Sequence, residues 1–501
     1  MRAALLALLL LPATAVAQEA SPYLPTSHWT MPYLEHLIAA GRIADPSPLS
    51  RPFTVAAIAR ALDAVDSNAV TRAEWTVVQR IKQELERRMR GPSSRLDVHA
   101  GIAAGTYDRR DPLREAGGGP GHATFSGGAA LTLYFGHAVL VAHPYFDTRL
   151  KFDPDWYGKK DRVIAGRNEA AYISAQFGLG EVFFGSLDRN WGPPDVQGLL
   201  LSDSPYGFDH LAVSLGTSGL RLEGLATQLN DLTDSTGAIH NRFMVQHRLL
   251  IHPPGRWTVA AWEGSVLSGV GRQLEPWYFN FLNPGILTQW NTNTNVNSFV
   301  GLDLSRQGAV TVFAQAMLDD IQVDRKTPAD RKPSSYGFTL GARGHTPRAL
   351  SGGAWRLFYT QVANLTYRNE DNTQTPIYFG LGTGRNFSDY DQLSLKLSVV
   401  LPRTVLLEPE ITLLRQGEGD LHFPHPAVAA YDSTPMFLSG VVTRTLRLAL
   451  AGRVATGRWT LAGNGGVHLI ANADHVAGAS KTRFVGTMQL SWRTKREGRI
   501  P

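Results

Sequence analysis

The chain has 501 residues, no cysteine and a formal charge of +6, with an isoelectric point near 9.4. Disulfides, thiolate metal sites and cysteine nucleophiles are therefore excluded. No stretch beyond the N-terminus holds 18 consecutive apolar residues, which rules out membrane-spanning helices of the ordinary length.

Arg2, the apolar run Ala3 to Leu11 and the small residues Ala15-Val16-Ala17 predict a secretory signal peptide over 1–17, cleaved before Gln18. An exported protein does not meet a genome, so nucleic acid is excluded as a partner. The scattered positive charge suits an anionic glycan or the phosphate-rich lipid headgroup layer.

Residues 18–92 read as a small helical bundle. Trp29, Leu34, Leu37 and Ile38 recur at helical spacing up to Gly41. A second helix follows Thr54, with Val55, Ile58 and Leu62 on one face. Thr71 and Glu74 form a capping-box signature ahead of the stripe Trp75, Val78, Ile81 and Leu85, and Gly91-Pro92 ends the segment.

Beyond it the apolar period shifts from 3.6 to 2. Leu393, Leu395, Leu397 and Val399 alternate with Ser394, Lys396 and Ser398; Phe484, Met488, Leu490 and Trp492 alternate with Arg483, Thr487, Gln489 and Ser491. Such segments carry one greasy and one wet face. Many run about nine to eleven residues, the length a tilted strand needs to cross a bilayer. Trp355, Tyr359, Trp459 and Trp492 sit where an interfacial girdle would place them, and Ala462, Gly463, Gly465 and Gly466 crowd mid-strand. At about 22 residues per strand and connection, the roughly 400 remaining residues give 16 to 18 strands. The expected fold is mainly β: a large antiparallel transmembrane β-barrel over 93–492, with 493–501 as a basic C-terminal tail.

Several landmarks go further. They run from His28-Trp29 and Arg51-Pro52-Phe53, through Phe184-Gly185, Asn190-Trp191-Gly192-Pro193 and Leu201-Ser202-Asp203-Ser204-Pro205-Tyr206. Glu275-Pro276-Trp277-Tyr278-Phe279, Leu282-Asn283-Pro284, Gly301-Leu302-Asp303 and Met317-Leu318-Asp319-Asp320 continue the series. In this order the chain resembles the capsule-assembly (Wzi) family of outer-membrane proteins. The resemblance implies a barrel of about eighteen strands with a periplasmic helical bundle. It also implies a non-catalytic role, binding capsular or other surface polysaccharide. Outer-membrane lipid and the barrel-assembly machinery are the other expected partners, and no cofactor is expected. A porin-like channel for small solutes, with Lys396, Arg447 and Arg483 in its lumen, is the alternative.

For glycan contact the sequence offers Asp188-Arg189-Asn190-Trp191, an aromatic face among planar hydrogen-bonding groups; the alternative is a structural turn with Trp191 in the lumen. Trp277 and Tyr278 suit either sugar stacking or the aromatic girdle. Gln289 to Asn297 is amide-rich around one aromatic, and Trp290, Asn291 and Asn293 are its candidates. Glu408 and Glu410 share a strand face and could in principle serve glycoside hydrolysis, but lumen-lining acids are routine in barrels. Asp420, His422 and His425 lie in a loop where a cation or idle histidines are the two readings. No Gly-x-Ser-x-Gly elbow, phosphate loop or His-Glu-x-x-His helix is present.

Overall fold

In the computed structural model, residues 19–500 are described apart from 115–120, 195, 293–294, 322–326 and 348–351; the signal-peptide reading and Asn293 lie outside the described residues. Eighteen antiparallel strands close into one barrel. They are β1 (Ser93–Gly105), β2 (Ala123–Phe135), β3 (Ala138–Asp147), β4 (Ala165–Phe177), β5 (Gly180–Leu187) and β6 (Asp209–Gly216). There follow β7 (Leu220–Thr233), β8 (Ile239–Ile251), β9 (Trp257–Val270), β10 (Val296–Arg306), β11 (Val310–Asp320) and β12 (Ser335–His345). The circuit ends with β13 (Gly353–Val362), β14 (Tyr390–Leu401), β15 (Val405–Gln416), β16 (Thr443–Thr456), β17 (Trp459–Ala471) and β18 (Ser480–Arg499). Closure is made by β1 against β18, in register from Ser93↔Arg499 to Gly105↔Thr487. It removes the unpaired edges that hydrocarbon would not tolerate.

Period-2 patterning explains the two surfaces. Leu393, Leu395, Leu397, Ile411, Leu413, Leu448, Leu450, Leu461, Leu469 and Met488 are all exposed on the outside. Arg447, His468 and Asn464 face inward and bond one another: Arg447 Nη2 donates to Asn464 Oδ1 at 2.7 Å, and Arg447 Nη1 lies 2.6 Å from His468 Nε2. A charge in the outer band would meet lipid. Leu448→Arg is therefore expected to cost about 2–4 kcal/mol, read from urea unfolding of vesicle-folded protein. The same substitution at the inward-facing Ala449 should cost much less than that.

One end of the barrel carries short turns, such as 136–137, 178–179, 402–404 and 457–458, and the other carries long loops, such as 148–164, 188–208, 271–295, 363–389 and 417–442. Three helices sit at the short-turn end: α1 (Met31–Ala39), α2 (Val55–Asp63) and α3 (Arg72–Leu85). Thr54 Oγ1 caps α2 by accepting from Ala57 N at 3.3 Å. The capping box of α3 is complete, with Thr71 Oγ1 accepting from Glu74 N at 3.1 Å and Thr71 N donating to Glu74 Oε2 at 2.6 Å. Their apolar stripes bury together against the inner wall: Leu34, Leu37, Ile58, Leu62, Val78 and Ile81 form one core with Val400 and Leu406. Tyr33 Oη reaches Thr404 O at 2.8 Å and His36 Nδ1 lies 2.8 Å from Ser398 Oγ.

The expected basic tail is instead strand. Residues 493–499 continue β18 beyond Trp492 and pair with 93–99. The charges that suggested a tail are used to hold the helices. Arg493 stacks over the Trp29 ring at 3.9 Å, Lys495 Nζ donates to Gln83 O and Glu84 O at 2.8 and 2.7 Å, and Glu497 accepts from Arg88 N at 3.0 Å. Trp492 is consequently a mid-strand residue paired with Trp459, not a terminal one.

From the long-loop end, 188–208 and 363–389 fold back into the lumen. Leu199, Leu200, Leu201, Phe208, Tyr367 and Ile377 pack on the inward residues Leu225, Met244, Val266, Phe299, Met317 and Val362. The barrel is thus filled from both ends.

Candidate functional site

The run Asp188 to Trp191 lies inside the barrel. Asn190-Trp191 pairs with Ser50-Arg51 of the N-terminal segment as a two-residue ladder. The Asn190 amide donates to Pro193 O and Val196 O, both at 3.2 Å, and its oxygen accepts from Gly198 N at 2.6 Å. Trp191 lies 5.3 Å from the Arg248 guanidinium, and its carbonyl accepts from Gln315 Nε2 at 3.1 Å. Arg189 stacks on Phe183 and donates to His210 Nε2 at 2.8 Å. Burial pushes the Asp188 carboxyl up to about 6, against the pull of Arg167 and Arg110. Asp188 Oδ1 is buried without a hydrogen-bond partner, whereas Arg189, Asn190 and Trp191 are engaged within the protein, Asn190 and Trp191 in the joint between the N-terminal segment and the wall.

The other candidates lie across that wall. Two short helices, α4 (Pro276–Phe279) and α5 (Gly285–Thr292), fold against the outer face of β7–β10. Tyr278 is buried there against Ala226, Val245, Leu267 and Val296. The outward Glu263 carboxylate takes Gly285 N at 2.6 Å and lies 2.8 Å from His247 Nδ1, so the start of α5 neutralises an acid on the lipid side of the wall. Trp277 is half exposed, with its indole N–H on Glu275 at 3.1 Å. Trp290 and Asn291 fall on α5, and Asn291 is exposed. The structure therefore does not gather the two predicted clusters into one site. Glu408 and Glu410 do face the lumen, but as ion-pair partners: Glu408 of Arg356, Glu410 of Arg447 at 3.3 Å and Lys396 at 3.7 Å.

What the long loops do build is an aromatic platform absent from the sequence candidates. Tyr157 and Phe379, both exposed, stack with centroids 4.2 Å apart and planes 12° from parallel. Beneath them lie Trp156, Tyr206 and Leu381, a buried cluster. Phe379 occupies the tip of a two-residue hairpin, Ile377-Tyr378 pairing with Leu381-Gly382. Both tip residues have positive φ, 48° for Phe379 and 82° for Gly380. A turn of that kind favours Asn or Gly at both positions, and a bulky residue there stores strain. The backbone is held by Asn230 Oδ1, which accepts from Phe379 N at 2.6 Å. Beside the platform Lys159, Lys160, Asp161 and Arg162 are exposed, a net positive rim.

His422 pins the same hairpin. Its Nδ1 lies 2.6 Å from Asp420 Oδ1 and its Nε2 donates to Gly380 O at 2.8 Å. Through these bonds Asp420 and His422 tie loop 417–442 to the hairpin. The Asp420 bond raises the His422 pKa above 6.5 despite burial. Burial alone would raise Asp420, but its bonds to His422 hold it below 3.8. A raised histidine contributes fully below its ordinary value and loses that contribution as pH rises through the folded one. A lowered aspartate contributes above its ordinary value and fails as pH falls through the folded one. Docking of loop 417–442 on the hairpin is thus expected to be firmest between about pH 4 and 6.5. Hydrogen exchange at 379–382, corrected for intrinsic rates, should be faster at pH 9 than at pH 5.5, and His422→Gln should remove the difference.

No family model matches the chain and no curated protein matches it by sequence. Among solved structures it is similar to Escherichia coli Wzi, described as an outer membrane protein involved in group 1 capsule assembly and a carbohydrate-binding β-barrel. The identity is 13%, the coverage 96% of this chain and 100% of that one, and the TM-score 0.64. Pseudomonas aeruginosa OprD and Acinetobacter baumannii OccAB1 each share 9% identity over 81% of this chain and 97% or 98% of theirs, with TM-scores of 0.45 and 0.47. Over nearly its whole length the chain has the fold of Wzi, an 18-stranded barrel of the outer-membrane type, as its ordered sequence landmarks imply.

Proposed function

We propose that the chain is exported by its signal peptide, sits in the outer membrane with its long loops at the cell surface, and retains an acidic surface polysaccharide without catalysis. Short periplasmic turns and long external loops are the usual orientation of such barrels; it places α1–α3 in the periplasm. The observation that carries the reading is the Tyr157–Phe379 platform. A strained residue is kept at a hairpin tip in order to present a flat apolar face to solvent, and sugar rings are recognised by such faces. The neighbouring Lys159, Lys160 and Arg162 favour a carboxylated or otherwise anionic glycan. E. coli Wzi, with the same fold, is described as binding carbohydrate.

The test is retention of polysaccharide by folded, detergent-solubilised protein immobilised on a support. An acidic exopolysaccharide should be retained at low ionic strength and a neutral dextran of equal length much less. Equal retention, or none, overturns the reading. Planar-bilayer recordings address the channel alternative: a barrel filled from both ends should give no steady conductance steps, and stable steps would favour a porin.

A further inference from the structure

A cavity of about 1370 Å³ lies between the N-terminal segment and the inner wall formed by β1–β4 and β18. On its wall His99 of β1, His143 of β3 and Glu169 of β4 converge, with ligand atoms all within 4.8 Å of one another. We propose that this cluster is a binding site for a divalent transition-metal ion, with Zn²⁺ as the best fit.

Two local irregularities assemble it. His99 and His143 are on strands separated by β2, and beside His99 β2 presents Gly128, whose partner on β3 is Tyr145. A Cβ on Gly128 would stand 2.7 Å from His99 Cε1, so only glycine lets the imidazoles meet across the intervening strand. Their ring centroids are 5.0 Å apart, edge to face. The second irregularity is a bulge. His143 pairs with Ala170 and Pro144 with Asn168, which leaves Glu169 as the extra residue. Bulges re-aim side chains, and this one turns Glu169 toward His143, with Glu169 Oε2 3.4 Å from His143 Nδ1. Its other oxygen accepts from the Ser27 hydroxyl of the N-terminal segment.

A plain His–Glu ion pair would use only one face of this arrangement. His143 is 8% exposed, yet its Nε2 has no hydrogen-bond partner. A buried ring nitrogen left open costs free energy unless something occupies it. Two imidazoles and a carboxylate are a common donor set for Zn²⁺, with bonds of about 2.0–2.2 Å and a fourth position left to water. That requires ligand atoms roughly 3.3 Å apart, so from separations of up to 4.8 Å the three side chains would draw in on the ion as it binds. The cavity gives water and ion access. Arg167, the nearest cation on β4, lies over the rings of Tyr145 and Tyr206, 5.5 and 5.4 Å from their centroids. Bound metal would tie three wall strands to each other and, through Ser27, to the N-terminal segment.

The experiment uses full-length folded barrel, stripped with chelator and titrated with Zn²⁺ by calorimetry. One site per chain is expected. His143→Gln and His99→Gln should each weaken it by at least about 100-fold, while the loop variant His422→Gln leaves it unchanged; heat-modifiable migration in detergent gels reports whether each variant is folded. X-ray absorption at the zinc edge on wild-type protein needs no variant and should show a nitrogen/oxygen shell with two imidazoles. Absence of stoichiometric binding, binding by either folded wall variant as tight as that of the wild type, or a shell without imidazole would each overturn the proposal. Polysaccharide retention is a separate readout, since the cluster lies inside the barrel and the platform outside it.

Discussion

Arg248→Met should destabilise the folded barrel by about 3–5 kcal/mol, the usual cost of breaking a buried, hydrogen-bonded ion pair from one side. Arg248 is fully buried on the inner face of β8. Its Nη1 donates to Ser50 Oγ at 2.6 Å and its Nη2 to Leu49 O at 2.9 Å. The carboxylates of Asp303 and Glu223 stand 3.4 and 3.5 Å away. The methionine would fill similar volume but leave the buried Asp303 without its cation, held by the Trp262 indole N–H at 2.8 Å and by the Gln315 side chain, and would leave Leu49 O with Gly192 N, at 3.0 Å, as its partner. Because Ser50-Arg51 also pairs with Asn190-Trp191, the loss should be felt in both segments that enter the lumen. The measurement is urea unfolding in vesicles, together with limited proteolysis of residues 19–92. A double variant Arg248→Met/Asp303→Leu removes both charges and should recover more than half of the loss. If Arg248→Met costs under about 1 kcal/mol, the joint is not what anchors the N-terminal segment.

The same joint shows where reading the sequence succeeds and where it stops. Alternation fixes which side of each strand is wet, because a one-residue slip would expose every inward side chain to lipid; hence Lys396, Arg447 and Arg483 are legible as lumen residues. Helix starts are equally local, so Thr54, Thr71 and Glu74 announce α2 and α3. By contrast, Asn190 and Trp191 have the composition of a sugar site and the geometry of a brace. Their partners Ser50, Gln315 and Arg248 are more than 50 residues away in the chain, and no local pattern reports them. The stretch 493–499 misled for a related reason. Its charges read as a solvated tail, whereas β18 outlasts the membrane band and uses them on Trp29 and on the C-terminal end of α3. Tyr278 was ambiguous between sugar and girdle, and the structure gives it a third role, packing a helical hairpin to the outer wall. The histidine–glutamate cluster needs a bulge and the single glycine Gly128 on separate strands, neither of which has a sequence signature of its own.

The platform carries the second large expectation. Tyr157→Ala/Phe379→Ala should weaken retention of an acidic polysaccharide by about 2 kcal/mol, roughly thirtyfold in Kd, if each ring stacks on one sugar. Phe379 offers a further sign that separates binding from stability. Its φ of 48° suits Asn or Gly better than Phe, so Phe379→Asn should leave the barrel as stable as the parent or slightly more so, while still losing retention. Tyr157 has no such strain, and its truncation also uncovers the ring of Tyr206, 6.3 Å away, so Tyr157→Ala should lose some stability along with affinity. Lys160→Glu/Arg162→Glu should weaken retention mainly at low salt, because exposed charges are screened over about 10 Å at 0.1 M. Residues inside the barrel behave oppositely: Trp191→Ala should loosen the lumen joint and leave retention by the folded fraction intact. If Phe379→Asn retained polysaccharide as the parent does and Trp191→Ala lost it, the glycan would have to enter the lumen, and the surface loops would be its gate instead of its seat.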